Sequence, residues 1–168
     1  LMTGIVAMGI PVAQRTYERA VMASNAQALL STTTVELRNE LGLAQKVQTS
    51  AGENGNDKLT FYMSGEGYWA SLESPSEKEG GKGIVKKVYY GAECPSSVDA
   101  ANKESKLVSS SAATNSLYIK YDEITFKDGV FTVKGLKVYK ANSTDELASV
   151  DEDGGLKIRA LKIGRAHV

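Results

Sequence analysis

The chain has 168 residues, of which 42% are hydrophobic and 24% charged, and this length and composition are typical of one globular domain. Twenty basic and twenty acidic residues cancel, so the sequence lacks the net positive charge with which proteins bind nucleic acid or anionic lipid. The single cysteine, Cys94, excludes an internal disulfide.

The first thirteen residues, LMTGIVAMGIPVA, carry no charge, whereas the six that follow carry three charges. A helix that crosses a membrane needs about 20 mostly apolar residues. We therefore interpret residues 1–13 as the end of a transmembrane segment whose first part is missing. A short core helix, or the apolar part of a secretory signal, is the alternative. The helical pattern continues without a break, which argues against the signal.

The stretch from Pro11 to Leu41 contains no glycine and is rich in good helix formers, and Gly42 is a typical helix stop. Residues 14–42 are therefore predicted to form an amphipathic helix. Two apolar stripes are interpreted as one face: Tyr17, Val21, Ala28 and Val35, and beside them Leu30, Leu37 and Leu41. The residues expected to pack on the sheet are Val21, Ala28, Val35, Leu37 and Leu41.

The charges along this helix are unevenly placed. No charged residue lies between Arg19 and Glu36, and the stretch between them is rich in Ala, Ser, Thr and Asn. A helix with one wet face normally carries charges at every turn, so this stretch predicts contacts on two sides, with a sheet and with neighbouring subunits. An ordinary amphipathic helix with a Ser/Thr-rich wet face is the alternative.

After Gly42 the apolar period changes to two, which is typical of strands. Six runs are predicted to be strands: Lys58–Met63, Gly67–Leu72, Ile84–Tyr90, Ser116–Phe126, Val130–Lys140 and Leu156–Leu161. Asp128 and Gly129 predict a hairpin between two of these runs. Three polar stretches are predicted to be loops: Ser74–Gly83, Gly91–Ser105 and Asp145–Gly155.

The expected fold class is α+β, with a long N-terminal helix, partly transmembrane, packed on one antiparallel β-sheet of roughly five to seven strands. The helix is expected to span residues 1–42 and the sheet domain residues 43–161. The last six residues, IGRAHV, are the in-frame translation of a common sequencing adapter, and Lys162 fits the adapter bases before them. We interpret residues 162–168, which include the only histidine, His167, as an artefact.

No catalytic constellation is evident outside that segment. Without a histidine, the usual base for a serine or cysteine nucleophile is missing, and Cys94 has no metal-ligating partner in its polar loop. DEDGG at Asp151–Gly155 lacks the spacing of an EF-hand and is interpreted as an acidic turn. Trp69, Tyr89 and Tyr90 are interpreted as sheet packing rather than as a binding patch. We expect a protein that is not an enzyme, with no cofactor and no metal.

Residues Leu1 to Gly42 resemble the later part of the N-terminal helix of type IV pilins and pseudopilins, in the style of Gram-positive prepilin-type proteins. The body from SLYIKYDEITFKDGVFTV onward is similar to the sheet domains that follow this helix in the family. Pro11 matches the family's mid-helix proline, where the helix can loosen during assembly. The resemblance implies a structural subunit of a type IV pilus, or of a related type II secretion or competence pseudopilus, with a pilin-like fold.

The resemblance also implies which partners and residues act in assembly. The partners are the membrane, other pilin-like subunits in a homo- or hetero-filament, and a prepilin peptidase that acts ahead of Leu1. The balanced charge gives no indication of nucleic acid as a partner. The bacterial subunit would cross the cell membrane once and then enter an extracellular filament. The residues implied in membrane contact and helix assembly are Ile5, Val6, Met8, Ile10 and Pro11.

Two other functions fit the sequence. A membrane-anchored surface β domain could bind a ligand or an adhesion target without polymerising. A secreted hydrolase would need chemistry that uses carboxylates alone.

Overall fold

The structure is a computed structural model that describes residues 2–52, 57–150 and 153–161, with side chains described from residue 13 onward. One long helix, α1, spans Met2–Gly42 and ends at the predicted glycine. The described strands are β1 Lys46–Ser50, β2 Lys58–Met63, β3 Tyr68–Glu73, β4 Val85–Tyr90, β5 Lys103–Lys106, β6 Leu117–Lys120, β7 Glu123–Lys127, β8 Val130–Lys134, β9 Lys137–Lys140, β10 Glu146–Ser149 and β11 Leu156–Arg159.

The expected fold class, a pilin-like α+β arrangement with a single sheet, is wrong. The described residues are mostly β, and their strands form three antiparallel sheets, ordered β1-β2-β3-β4-β5, β10-β9-β6 and β11-β8-β7. In the described part of the chain, no helix is long and apolar enough to cross a membrane. The partly transmembrane helix of the expected fold is therefore not found there. Residues 1–12, on which that expectation depended, lie outside the described side chains.

The two three-stranded sheets are the halves of one bent meander. Each of its three runs passes from one sheet into the other: β6 into β7, β8 into β9, and β10 into β11. At the bend, the Asp122 N–H donates to the Lys134 carbonyl at 2.8 Å. Gly135 has a φ of +71°, and a β-carbon there would collide with the Asp122 carboxylate. The bend explains why two predicted strands, Ser116–Phe126 and Val130–Lys140, each form two.

The hairpin predicted at Asp128 and Gly129 is confirmed. These two residues have φ values of 53° and 78° and connect β7 to β8, with Lys127 paired to Val130. Positive φ at both turn residues is the geometry that matches the twist of the flanking strands, and Asp-Gly adopts it readily.

The main core lies between the C-terminal half of α1 and the sheets, because α1 contacts β6, β9, β10 and β11. Phe131 of β8 joins the sheets at the centre, with its ring 6.1 Å from Phe61 and 4.7 Å from Phe126. The largest fully buried apolar side chains are Leu37, Leu41, Phe61, Ile84, Leu117, Ile119, Phe131, Val133, Leu136, Val138 and Leu156.

A second, smaller core covers the opposite face of the five-stranded sheet. The segment after β4 returns to the free edge of β1, where the Ala51 N–H donates to Ser96 and the Val98 N–H donates to Ala51. Trp69, Tyr89 and Val98 are buried beneath it. Both faces of this sheet are therefore covered within the chain.

Candidate functional site

The N-terminal half of α1 extends beyond the sheets. Every described side chain from residue 13 to residue 21 is exposed, and the first fully buried residue is Ala26. At 1.5 Å per residue, residues 13–21 form about 14 Å of helix without a covered face, and Met22 is the first residue that packs against the main core. An isolated helix of this length is marginal in water, because most helical stability in proteins comes from packing of an apolar face. The sheets do not cover this part of α1.

The buried face of α1 begins where the sheets begin. Its members recur every three or four residues and lie on one side of the helix: Ala26, Leu29, Leu30, Thr33, Leu37 and Leu41.

The opposite face of α1 is exposed, apolar and uncharged. Tyr17 is 71% exposed, Val21 39% and Val35 54%, and Ala28 between the two valines is also exposed. Val21, Ala28 and Val35 follow one another at intervals of seven residues, and exposed serines at 24 and 31 lie between them. This alternation of four- and three-residue steps forms a continuous stripe of the kind that packs against other helices. We call Tyr17, Val21, Ala28 and Val35 the exposed stripe.

The structure separates the five residues that were expected to pack on the sheet. Leu37 and Leu41 are buried in the main core, whereas Val21, Ala28 and Val35 are exposed. The expectation placed the stripe that contains Val35 and the stripe that contains Leu37 side by side on one face of the helix. Consecutive residues are about 100° apart around a helix, so Val35 and Leu37 point about 200° apart, towards opposite sides. The two stripes are thus the two faces of α1.

The residues implied in membrane contact and helix assembly belong to the first turns of α1. Ile5, Val6, Met8, Ile10 and Pro11 all lie outside the described side chains.

A partly buried ion pair fastens the end of α1 to the five-stranded sheet. The Lys86 ammonium on β4 donates to Glu40 at 2.9 Å and to the Tyr68 hydroxyl at 2.5 Å. The side chains of Lys86 and Glu40 are only 13% and 19% exposed. Burial lowers the pKa of Lys86, but the bonds to Tyr68 and Glu40 outweigh it, so the pKa lies above its ordinary value. Sequence analysis missed this pair, whose members are 46 residues apart.

The aromatic residues singled out in the sequence divide between packing and surface. Trp69 and Tyr89 are buried in the second core, whereas Tyr90 is 64% exposed. The Tyr89 hydroxyl bonds to Ser71 at 3.0 Å and donates to the Val98 carbonyl, and burial raises its pKa. All of these partners belong to the fold, so Trp69 and Tyr89 have a structural role.

Cys94 is held in the same region by polar contacts. Its sulfur lies 3.0 Å from the Thr60 hydroxyl and 3.4 Å from that of Ser50, and Ser50 donates to the Pro95 carbonyl. No base is present among these partners, so the arrangement ties the loop to β1 and β2 and does not activate the thiol. Across the described ranges, no cluster of three or more His, Cys, Asp or Glu could hold a metal ion.

Two open grooves share Tyr121 and Asp122. One, of about 310 Å³, lies beside Ser74–Lys78, and the other, of about 360 Å³, runs along β7. The buried polar side-chain atoms without a partner in the described part of the chain, on Thr33 and Glu40, line neither groove. The grooves therefore give weaker evidence for a bound ligand than the exposed stripe gives for a protein partner.

Comparison of this chain with protein-family models, with curated proteins and with solved structures finds no match.

Proposed function

We propose that this chain is a structural subunit, not an enzyme, that assembles with other subunits through α1, as subunits of a type IV pilus or of a type II secretion or competence pseudopilus do. One observation carries the proposal: the exposed stripe on α1, which is apolar and uncharged along a helix that extends beyond its own domain. A surface helix that needed no partner would place charged residues there.

The energy available from the exposed stripe favours several neighbours over a single pair. Full burial of a valine or a larger apolar side chain contributes about 1.5–3 kcal/mol. Scaled by their exposure, Tyr17, Val21 and Val35 of one chain offer about 2.5–5 kcal/mol together. Association of two proteins costs about 4–15 kcal/mol in lost freedom. A contact between two stripes would therefore yield about 5–10 kcal/mol, which the cost of association can cancel, and repeated contacts along a filament would add to it.

The proposal also includes where the protein is located, and the uncharged residues 1–13 support this part of it. In this proposal the subunits enter a bacterial extracellular filament, in which the first turns of α1 lie against neighbouring helices. A prepilin peptidase would be the processing partner of such a subunit. Pro11 would bend the helix at that point, because a proline removes one backbone hydrogen bond.

Cysteine cross-linking of the whole chain tests the assembly directly. Val21→Cys and Val35→Cys are combined in a Cys94→Ser background. The two new thiols are about 21 Å apart along the helix, too far for a disulfide within one chain. Mild oxidation is expected to give a ladder of dimers, trimers and larger species, because each helix would contact more than one neighbour.

The matched control places the two cysteines on the sheets, as Ser64→Cys and Lys127→Cys in the same background. Both positions are exposed, and each lies at a hairpin turn of the sheets rather than on the exposed stripe. Equal cross-linking of the two double variants, or dimers alone at every protein concentration, would refute assembly through the stripe. An unlinked chain would leave the anchored surface domain as the better explanation.

A further inference from the structure

Among the described side chains of α1, that of Thr33 is the one polar side chain that is fully buried. The residue is 1% exposed, and its Oγ1 has no hydrogen-bond partner among the described residues. The next residue behaves differently, because Thr34 Oγ1 donates to the Leu30 carbonyl at 2.9 Å. An unpaired buried hydroxyl costs about 1–3 kcal/mol, so a partner for Thr33 is expected.

A small cavity lies beside Thr33, between α1 and two loops. Its volume is about 10 Å³. One side is apolar, with Leu29, Ile84 and Ile119, and the other is formed by Gly81–Gly83 and by Val108–Ser110. A single water needs about 10–15 Å³ of this kind of space and two to four polar partners. The size admits one water and excludes an organic ligand.

The loops around the cavity are tightly held. The Gly81 N–H donates to Leu117 at 2.9 Å, and the Gly81 carbonyl accepts from Lys106 at 2.7 Å and from Ser110 at 3.1 Å. A β-carbon at Gly80 would collide with the Asn115 carbonyl. These contacts keep the loops from closing onto Thr33, so the space beside its hydroxyl is maintained by the fold.

We infer that this cavity is an internal water site, in which one water bonds to Thr33 Oγ1 and to polar groups of the loops Gly81–Gly83 and Val108–Ser110. The water would connect the middle of α1 to the two loops that line the cavity. This inference is independent of the proposed function, because it concerns the attachment of α1 to its own domain.

A high-resolution crystal structure of the whole chain, together with Thr33→Val, tests the site. Valine has nearly the shape of threonine without the hydroxyl, so the variant is expected to fold. The wild-type structure is expected to show a water within hydrogen-bond distance of Thr33 Oγ1. In urea denaturation, Thr33→Val is expected to lower the folding equilibrium constant by about tenfold, because the water loses a partner. Thr33→Ser, which keeps the hydroxyl, should retain the water.

The matched control is Thr34→Val, which removes a hydroxyl that already has a partner on the helix. A dry cavity in the wild-type crystal, or a Thr33→Val variant as stable as the wild type or more stable, would overturn the inference. In the second case the hydroxyl would simply be unsatisfied, and its removal would be favourable.

Discussion

Replacing Glu40 with glutamine is expected to loosen the attachment of α1 to the five-stranded sheet. The change preserves the shape of the side chain and removes its charge. Lys86 keeps its bond to the Tyr68 hydroxyl but loses the carboxylate 2.9 Å away. The second carboxylate oxygen of Glu40 is buried and has no partner among the described residues. An amide NH2 in its place would therefore form no new hydrogen bond that offsets the loss.

The cost follows from the burial of the pair. Breaking a fully buried ion pair from one side costs about 3–5 kcal/mol, whereas an exposed pair contributes about 0–1 kcal/mol. With Lys86 and Glu40 at 13% and 19% exposure, we expect Glu40→Gln to cost about 2 kcal/mol. This corresponds to about a 30-fold lower folding equilibrium constant. Lys86→Met should cost a similar amount, and the double variant less than the sum.

Urea denaturation of the full chain measures these changes. Trp69, the single tryptophan, is buried in the same sheet on the opposite face, and its fluorescence reports unfolding without lying in the mutated site. The matched control is Glu77→Gln, because Glu77 pairs with Lys82 at 3.2 Å with side chains 62% and 40% exposed. It should change stability by less than about 0.5 kcal/mol.

Two results would refute this reasoning. One is a Glu40→Gln variant that loses no more stability than Glu77→Gln. The other is a loss at Glu40 that disappears in 1 M salt, where screening acts within about 3 Å and removes contributions of exposed charges. Either would mean that the pair is solvated and does not fasten the helix.

Shortening a side chain should have different effects on the two faces of α1. In urea denaturation, Leu37→Ala should lower the free energy of unfolding by about 2–5 kcal/mol, because it opens a cavity. Val35→Ala should change it by no more than about 0.5 kcal/mol. A loss at Val35 as large as that at Leu37 would contradict the assignment of the faces. Stability should also fall at alkaline pH, because the pKa values of Lys86, Tyr89 and Tyr121 lie above their ordinary values of 10.5, 10.0 and 10.0 in the folded chain. The contribution of these groups to the free energy of unfolding is complete below about pH 10 and is lost as the pH rises through their raised pKa values. A urea midpoint that stays constant from pH 8 to beyond pH 11 would exclude this linkage.

The sequence predicts best where local patterns decide the structure. The helix end at Gly42 and the hairpin at Asp128 and Gly129 are confirmed, because a stop residue and a turn with two positive φ values act over a few residues. The sheet count is wrong because the bend at Gly135 depends on a contact with Asp122 across the hairpin, which alternation within one strand does not reveal.

Two edge strands and part of the candidate site could not be predicted from the sequence. β5 (KESK) and β10 (ELAS) lie at sheet edges and carry little alternation, so their polar sequences were predicted as loops. The pairing of Glu40 with Lys86 requires the tertiary fold. The exposed stripe could have been predicted from the sequence. At about 100° per residue, Val35 and Leu37 lie about 200° apart around any α-helix, so both cannot face the sheets.

The bent meander also bears on the order in which this chain folds. Its strands lie within residues 117–159, and its three runs pair in chain order, so they should form quickly around the Asp128–Gly129 turn. The buried face of α1 packs on strands of this meander, which follow α1 in the chain. The helix therefore leaves the ribosome before the sheets on which it packs. During that interval both of its faces are uncovered, and early protection of α1 would matter more to the yield of folded chains than the stability of the finished domain.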